Sequence, residues 1–356
     1  MMSEIPTYVY GVAAAGVLRT PLRAQGMPDG QSPVTAIAVG GASAIVGRYA
    51  GPAMNGLPRP ELLRRLAIHQ RVIEDALERG DVLPAQFGTV LASEDEVRLL
   101  LTAWGGLVRA SLTRFSGLVE VEVAATWDLP RVLGEVACDP EVMKAKSVAV
   151  QAPPEERLAQ QVNVGKVVKE ALDRRRGRCQ QMLLEAARPL AECIRPNILL
   201  SDELVFNVAF LVPRRAMAEF EAAIDRLDAE LAGSCLLRLI GPLPPYTFGT
   251  VSVTRFDAER LAAGRALLGL GGEITKQAVL SSYRRLARQS HPDGQPAGTD
   301  AVQRFTALNA ARADLLAYAD SRARVAAADG PALMVTIGPS EQDGAALDGA
   351  APDGRP

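Results

Sequence analysis

Changes in the spacing of apolar residues divide this chain into predicted strands and helices. The run at 204–212 is β-branched, aromatic and aliphatic apart from one asparagine, which is typical of a strand buried on both faces. Beyond it, apolar residues four, three and four positions apart predict one helical stripe of Phe220, Ile224, Leu227 and Leu231. A second apolar run leads into GPLPPYTF at 241–248, which its prolines keep extended. The stretch 204–248 is therefore predicted to form a strand–helix–strand unit.

The N-terminal part of the chain has the pattern of a separate mixed domain. Strands are predicted at 7–12, 34–39 and 42–46, with Gly40 and Gly41 as the turn of a hairpin. A further strand is predicted at 118–125, where valines alternate with glutamates. That alternation predicts one buried face and one solvent-exposed face, the latter carrying Glu120 and Glu122.

Two amphipathic helices lie between these strands. The first, over about 60–80, places His69 in a stripe of leucines and isoleucine, and we predict a core role for it rather than a ligand or base role. The second begins at Ser93 with a capping-box pattern, so Glu96 and its acidic neighbours are predicted to cap the helix rather than bind metal. Long helices are also predicted over 154–194. The basic residues at 174–178 there are either a docking patch for an acidic partner or a solvated helix end, and the second interpretation is favoured.

Composition narrows the function classes. The chain has 356 residues, a net charge of −2 and no apolar run near 18 residues, so we expect neither nucleic-acid binding nor a membrane span. The N-terminal segment does not resemble a secretory signal, and a cytoplasmic location is expected. The two histidines and four cysteines form no close-spaced pairs, which predicts reduced thiols and no metal site at Cys138, Cys179, Cys193 and Cys235. No nucleotide-binding or hydrolase motif is present, so we expect no cofactor and no enzymatic activity.

Three sequence blocks together resemble a known family. They are YVYGV at 8–12, DVLPAQFGTV at 81–90 and GPLPPYTF at 241–248, and in this order they resemble the GvpF/GvpL family of gas-vesicle accessory proteins over residues 6–255. The resemblance implies a cytoplasmic protein associated with gas vesicles. It also implies binding of the very hydrophobic major shell protein, and of other gas vesicle proteins. The motif residues are expected to be structural or client-binding, with an apolar surface or a free sheet edge as the contact: Leu83, Pro84, Phe87, Gly88, Gly241, Pro242, Pro244, Pro245, Tyr246 and Phe248.

The sequence after residue 262 resembles a second family. A helix with apolar residues at Val279, Tyr283 and Leu286 ends at an HPD tripeptide, and a second apolar stripe follows at 305–315. Two helices joined by HPD resemble a J-domain, which docks on DnaK-type chaperones. The resemblance implies partner-binding roles for His291, Pro292, Asp293, Arg284, Arg285 and Arg288. The alternatives are a general J-domain co-chaperone and, from another class, a small-ligand regulator or enzyme.

These observations predict an α+β fold with several parts. Two α+β domains in tandem, each a ferredoxin-like variant, are expected at 6–116 and 117–255. A J-domain-like helical hairpin is expected at 262–322. The segment 326–356 is rich in alanine, glycine, aspartate and proline, and is expected to be a disordered tail.

Overall fold

A computed structural model describes residues 5–18, 20, 22–28, 33–199, 201–231, 235–289, 299–325 and 333–339. The chain has a mixed α/β fold with antiparallel sheets and divides into two compact units. The first unit combines Met1–Arg114 with Gly249–Gly338, and the second is built on Phe115–Phe248.

The elements follow one another in the order that the hydrophobic pattern predicts for most of the chain. The strands are β1 Thr7–Ala14, β2 Thr35–Val39, β3 Ala42–Arg48, β4 Val82–Pro84, β5 Val90–Leu91, β6 Leu118–Thr126, β7 Cys193–Pro196, β8 Leu204–Pro213, β9 Leu236–Leu243, β10 Thr250–Arg255 and β11 Leu333–Gly338. The helices are α1 Arg59–Leu77, α2 Glu94–Arg114, α3 Leu129–Val136, α4 Pro140–Gln151, α5 Arg157–Ala187, α6 Met217–Leu231, α7 Ala258–Leu268, α8 Lys276–Gln289 and α9 Thr299–Val325.

The first unit is built around a sheet in the order β2-β3-β1-β4, with β5 also paired to β1. All of these pairings are antiparallel. The hairpin between β2 and β3 turns at Gly40 and Gly41, whose φ angles of 57° and 89° suit a two-residue hairpin turn, as predicted. Helices α1 and α2 pack on this sheet.

The C-terminal helices belong to the first unit, which corrects the prediction of a separate module at 262–322. Helix α9 packs on α2, and the Arg324 guanidinium lies 4.7 Å from the centre of the Trp104 ring. Helix α7 is held to α9 by Arg260, which donates two hydrogen bonds to the Asp314 carboxylate at 2.6 and 2.8 Å. Helix α9 is therefore joined to the N-terminal fold by packing and a cation–π contact, and α7 is joined to α9 by an ion pair.

Part of the predicted disordered tail is an ordered strand. Strand β11 pairs antiparallel with β10 along its whole length, from Leu333 opposite Arg255 to Gly338 opposite Thr250. The side chains of Leu333 and Val335 are buried, so the short apolar run at 333–337 does find a packing surface. Residues 326–332 and 340–356 of that predicted tail lie outside the described residues.

The second unit has a four-stranded sheet in the order β7-β8-β6-β9. Strand β6 is antiparallel to both β8 and β9, so the predicted strand–helix–strand unit of β8, α6 and β9 is split by β6. One face of the sheet packs against α3, α5 and α6 around Phe206, Phe210 and Phe220. The order of elements is β-α-β-β-α-β when the helical segment α3–α5 is counted as one connection.

Candidate functional site

The first two family blocks lie side by side in the centre of the first unit. Strand β1, which carries YVYGV, pairs with β4 so that Gly11 is opposite Pro84 and Val12 is opposite Leu83. Leu83 and Pro84 are buried, and Phe87 and Gly88 are half-buried. The blocks therefore build the core of the sheet, and most of their side-chain surface is not available to a partner.

His69 joins these blocks through a buried hydrogen-bond network. The Tyr8 hydroxyl lies 3.0 Å from His69 Nδ1, and it accepts a hydrogen bond from the Gly88 N–H at 3.0 Å. The Ala85 N–H donates to the Tyr10 carbonyl at 2.8 Å, and the Phe87 ring meets His69 edge-on at 5.8 Å.

Both titratable members of the network are held neutral. Burial raises the pKa of Tyr8 above its usual range, so the hydroxyl keeps its proton while it is hydrogen-bonded with His69 Nδ1. Burial lowers the pKa of His69 to about 4, partly offset by its hydrogen bond with the Ala85 backbone. The predicted core role of His69 is confirmed by its exposure of only 1%.

This histidine makes the stability of the protein depend on pH. Its pKa is about 4 in the folded state and about 6.5 when unfolded, so the unfolded state binds the extra proton between those values. The free energy of unfolding is therefore expected to fall as pH drops through this window. The expected loss is about 2 kcal/mol between pH 7.5 and pH 5.

Urea unfolding of the intact chain and of His69→Gln at both pH values tests this expectation. Glutamine cannot titrate, so the variant should lack this part of the pH dependence whatever its stability at pH 7.5. Equal pH dependence in the two proteins would contradict a buried neutral His69.

The third block is anchored by a carboxylate that the alternation pattern places in solvent. Glu120 on β6 is fully buried, contrary to the predicted exposed face. It accepts hydrogen bonds from the Thr247 N–H and hydroxyl, both at 2.7 Å. A buried carboxylate with hydrogen-bond donors can stay in the core, which the alternation of residue types does not reveal. Thr247 lies within PPYTF, so Glu120 fixes this segment.

The side chains of GPLPPYTF differ in exposure. Pro244, Pro245 and Phe248 are buried, Tyr246 is half-buried, and Gly241 and Pro242 are exposed. As in the first unit, most of the motif residues pack inside the fold.

Both sheet edges expected to pair with a client are partly occupied. Next to β4, Ala85 forms a parallel bridge with Val251, and the Gln86 N–H donates to the Val251 carbonyl at 2.8 Å. At β9, the Leu237 N–H donates to an Asp228 carboxylate oxygen at 3.3 Å. Pro242, further along β9, has no N–H to offer. These features limit the addition of a strand at either edge.

Exposed apolar side chains are concentrated instead on the helices of the second unit. Of the twelve large hydrophobic residues found exposed in the described part of the chain, six lie on α3, α4 and α5. Five of them lie on α4 and α5, have exposures from 46% to 80%, and are together called the apolar helical patch: Met143, Val148, Val150, Leu158 and Val162. Helices α4 and α5 pack against each other, so both carry these residues on one helical hairpin. Sequence reasoning missed this patch, because its apolar residues alternate with polar ones.

The arginine cluster at 174–178 braces this hairpin. Arg174 donates to Glu141 on α4 at 2.8 Å, and Arg175 donates to Glu135 on α3 at 2.6 Å. Helix α5 runs unbroken through the cluster, so the predicted helix end is wrong. The ion pairs also leave these two arginines less available as a docking patch.

Helices α8 and α9 bury several of the apolar residues predicted for their stripes. Val279, Leu308 and Leu315 are buried together with Leu268 of α7. Lys276 at the start of α8 pairs with Asp320 near the end of α9 at 3.6 Å, so the two helices are antiparallel.

The residues expected to bind a chaperone are only partly described. Arg284 and Arg288 are exposed on α8, and Arg285 donates to the Ser282 hydroxyl at 3.3 Å. His291, Pro292 and Asp293 lie outside the described residues.

Two further features of the described residues bear on the site. No group of three or more histidine, cysteine or carboxylate side chains in the described ranges is placed to hold a metal ion. None of the helices described has the length and hydrophobicity needed to cross a bilayer.

Comparison with known proteins gives a consistent family assignment. The family model for the gas vesicle synthesis protein GvpL/GvpF matches residues 6–250. Gas vesicle protein F from a Streptomyces species is 31% identical over 242 residues, which cover 68% of this chain and 98% of that protein. Gas vesicle protein F from a Nostoc species is 24% identical over 192 residues, covering 53% of this chain and 78% of the relative.

Solved structures show the same fold at lower sequence similarity. The crystal structure of GvpF from an Anabaena species matches with a TM-score of 0.57 and 22% identity, over 68% of this chain and 98% of that one. GvpF from Microcystis aeruginosa matches with a TM-score of 0.51 and 21% identity over the same shares. The described segment from β10 onward lies almost entirely beyond the family match.

Proposed function

The chain belongs to the GvpL/GvpF family of gas vesicle synthesis proteins, and on this basis we propose that it binds the hydrophobic major shell protein during gas vesicle assembly. In this proposal it is a non-enzymatic, chaperone-like accessory protein that works in the cytoplasm at the growing vesicle and contacts other gas vesicle proteins there. It keeps the apolar shell subunit soluble until that subunit is incorporated.

The apolar helical patch is the observation that carries this proposal. Val150 and Leu158 are 80% and 73% exposed, and water contact with such side chains is unfavourable. Several large apolar side chains exposed on one helical hairpin offer a partner a surface to cover. An apolar shell subunit has the matching chemistry, because association would remove apolar area from water on both sides.

The patch is a better candidate for the docking surface than the three sequence blocks that resemble the family. The side chains of those blocks are largely buried, and the two sheet edges near them are partly occupied. The blocks are therefore proposed to be structural, holding the two units in shape. The patch lies on a helical hairpin whose position is fixed by Arg174 and Arg175.

The C-terminal helices are proposed to recruit a DnaK-type chaperone to the bound shell subunit. Exposed Arg284 and Arg288 supply a positive surface on α8 that suits an acidic partner. The HPD tripeptide at 291–293 follows that helix in the sequence. We also propose that the second unit is a ferredoxin-like variant, which its order of strands and helices supports.

Co-expression with the major shell protein tests the docking surface. The double variant Val150→Asp/Leu158→Asp places two charges in the apolar helical patch and should lower the amount of soluble shell protein at least about tenfold. Leu236→Asp is a matched control, because Leu236 is 72% exposed in the same unit but lies on β9. Soluble shell protein should be unchanged by it.

Each outcome has a distinct meaning. If Leu236→Asp alone lowers the amount of soluble shell protein, the docking site lies at the β9 edge instead. If no variant lowers the amount of soluble shell protein, the apolar helical patch is excluded as the docking surface. If the intact chain does not keep shell protein soluble, the proposed function is overturned. His291→Gln separates chaperone recruitment from direct binding, because it should leave a binary complex with the shell protein intact.

A further inference from the structure

Two cysteines of the second unit lie close together although they are far apart in the sequence. Cys179 is in the C-terminal half of α5, and Cys235 immediately precedes β9. Their sulfur atoms are 3.9 Å apart and both residues are half-buried. Cys138 and Cys193, in contrast, are exposed. Nothing in the proposed docking role uses the close pair.

The surroundings of the pair distinguish its two thiols. A hydrogen bond from Cys235 lowers the pKa of Cys179 to about 7, and the positive charges of Arg178 and Arg175 act in the same direction. The same hydrogen bond and burial raise the pKa of Cys235. Ionisation of the pair is thus favoured at Cys179, which lies near Arg178 and Arg175, with Cys235 as the neighbouring thiol. Thiolates, not thiols, are the reactive form.

We propose that Cys179 and Cys235 are a redox-active pair that closes to an intramolecular disulfide when the protein meets hydrogen peroxide. This proposal does not depend on shell-protein binding. The sequence predicts reduced thiols at these positions, and the proposal adds that peroxide can oxidise this pair.

The chemistry balances in two steps. The Cys179 thiolate attacks one oxygen of hydrogen peroxide, the O–O bond breaks, and the departing hydroxide takes a proton to leave as water. The resulting sulfenic acid is attacked at sulfur by Cys235, which loses its proton as the S–S bond forms and a second water departs. Two thiols are oxidised and one peroxide is reduced to two waters. A dithiol reductant reverses the reaction by thiol–disulfide exchange.

The geometry requires only a local change. A disulfide has sulfur atoms about 2.05 Å apart, so the two sulfurs must approach by about 1.9 Å. The bond would connect α5 to the start of β9 and close the chain from 179 to 235, which contains β7, β8 and α6. Closing a loop in this way restricts the unfolded chain, so the oxidised protein should be the more stable form.

The test uses the full chain in a Cys138→Ser/Cys193→Ser background, which keeps only the close pair. Stoichiometric hydrogen peroxide should lower the count of free thiols from two to none and reduce the mass of the chain by two hydrogen atoms. Peptide mapping should recover residues 179 and 235 in one cross-linked species. The melting temperature should rise by several degrees and return to its starting value with dithiothreitol.

Two further variants test the roles of Cys235 and Arg178 in the reaction. Cys235→Ser should leave Cys179 as a sulfenic or over-oxidised acid, with no rise in melting temperature. Arg178→Gln should slow the reaction with peroxide several-fold without preventing the disulfide. Two thiols that remain free, or cross-links that form only between chains, would overturn the proposal.

Discussion

Replacing Glu120 with alanine is expected to lower the free energy of unfolding by about 3–5 kcal/mol. The carboxylate is fully buried and accepts from both the N–H and the hydroxyl of Thr247 at 2.7 Å. Alanine would leave two buried donors without their acceptor and open a cavity beside β6. PPYTF would then lose the contact that fixes it to the sheet.

A double-mutant cycle with Thr247→Val measures the coupling by thermal and urea unfolding. Valine removes the hydroxyl but keeps the backbone N–H, so the single variant should cost less than Glu120→Ala. Glu120→Gln keeps an acceptor oxygen, so its loss of unfolding free energy should lie between those of Thr247→Val and Glu120→Ala. A cost below about 1 kcal/mol for Glu120→Ala would mean that the PPYTF segment is held mainly by packing.

The second large effect is expected at Gly11, where alanine should destabilise the protein by about 2–3 kcal/mol. An added Cβ would lie 2.5 Å from the Leu83 carbonyl oxygen and 2.8 Å from Ile73 Cδ1. One of these neighbours is backbone, so relief requires β1 and β4 to separate rather than a side chain to rotate. This explains why glycine stands between the aromatic residues and Val12 in the first sequence block.

Gly106→Ala is the matched control for this substitution. Gly106 is exposed on α2, and an added Cβ there meets nothing within 4 Å. Alanine favours helix over glycine, so this variant should be stabilised by about 0.5–1 kcal/mol. Equal effects of the two substitutions in urea titrations would contradict the close approach of β1 and β4.

Local sequence patterns were sufficient for much of the secondary structure. The hairpin at Gly40 and Gly41, the strand at 118–125 and the stripe that contains His69 all follow from residue spacing, because a buried face repeats every two or about every 3.6 residues. The three family blocks also led to the family that the comparisons show.

The features that local patterns did not predict depend on contacts between distant residues. Glu120 is buried because Thr247, far along the chain, supplies donors to it. Strand β11 is ordered because β10 offers an unpaired edge. Arg174 and Arg175 brace a hairpin because acidic residues on α3 and α4 face them. Alternation and charge runs show which face a residue is on, but not what covers that face.

The sequence also did not predict which apolar side chains stay exposed. Val150 and Leu158 look like ordinary members of amphipathic helices, and only the packing of α4 against α5 shows that they remain exposed. The candidate docking surface therefore lies outside the sequence blocks that identify the family. In the proposed function, the residues that identify the family differ from those that bind the partner.

The pairing of β10 with β11 gives the C-terminal segment two attachments, one covalent and one through hydrogen bonds. Because α9 also packs on α2, cutting the backbone anywhere between 290 and 298 would leave residues 299–338 with a non-covalent binding site on the rest of the chain. The protein is accordingly suited to fragment complementation. Two separately expressed pieces divided at that point should reassemble, and the reassembly would provide a reporter for conditions that loosen the first unit.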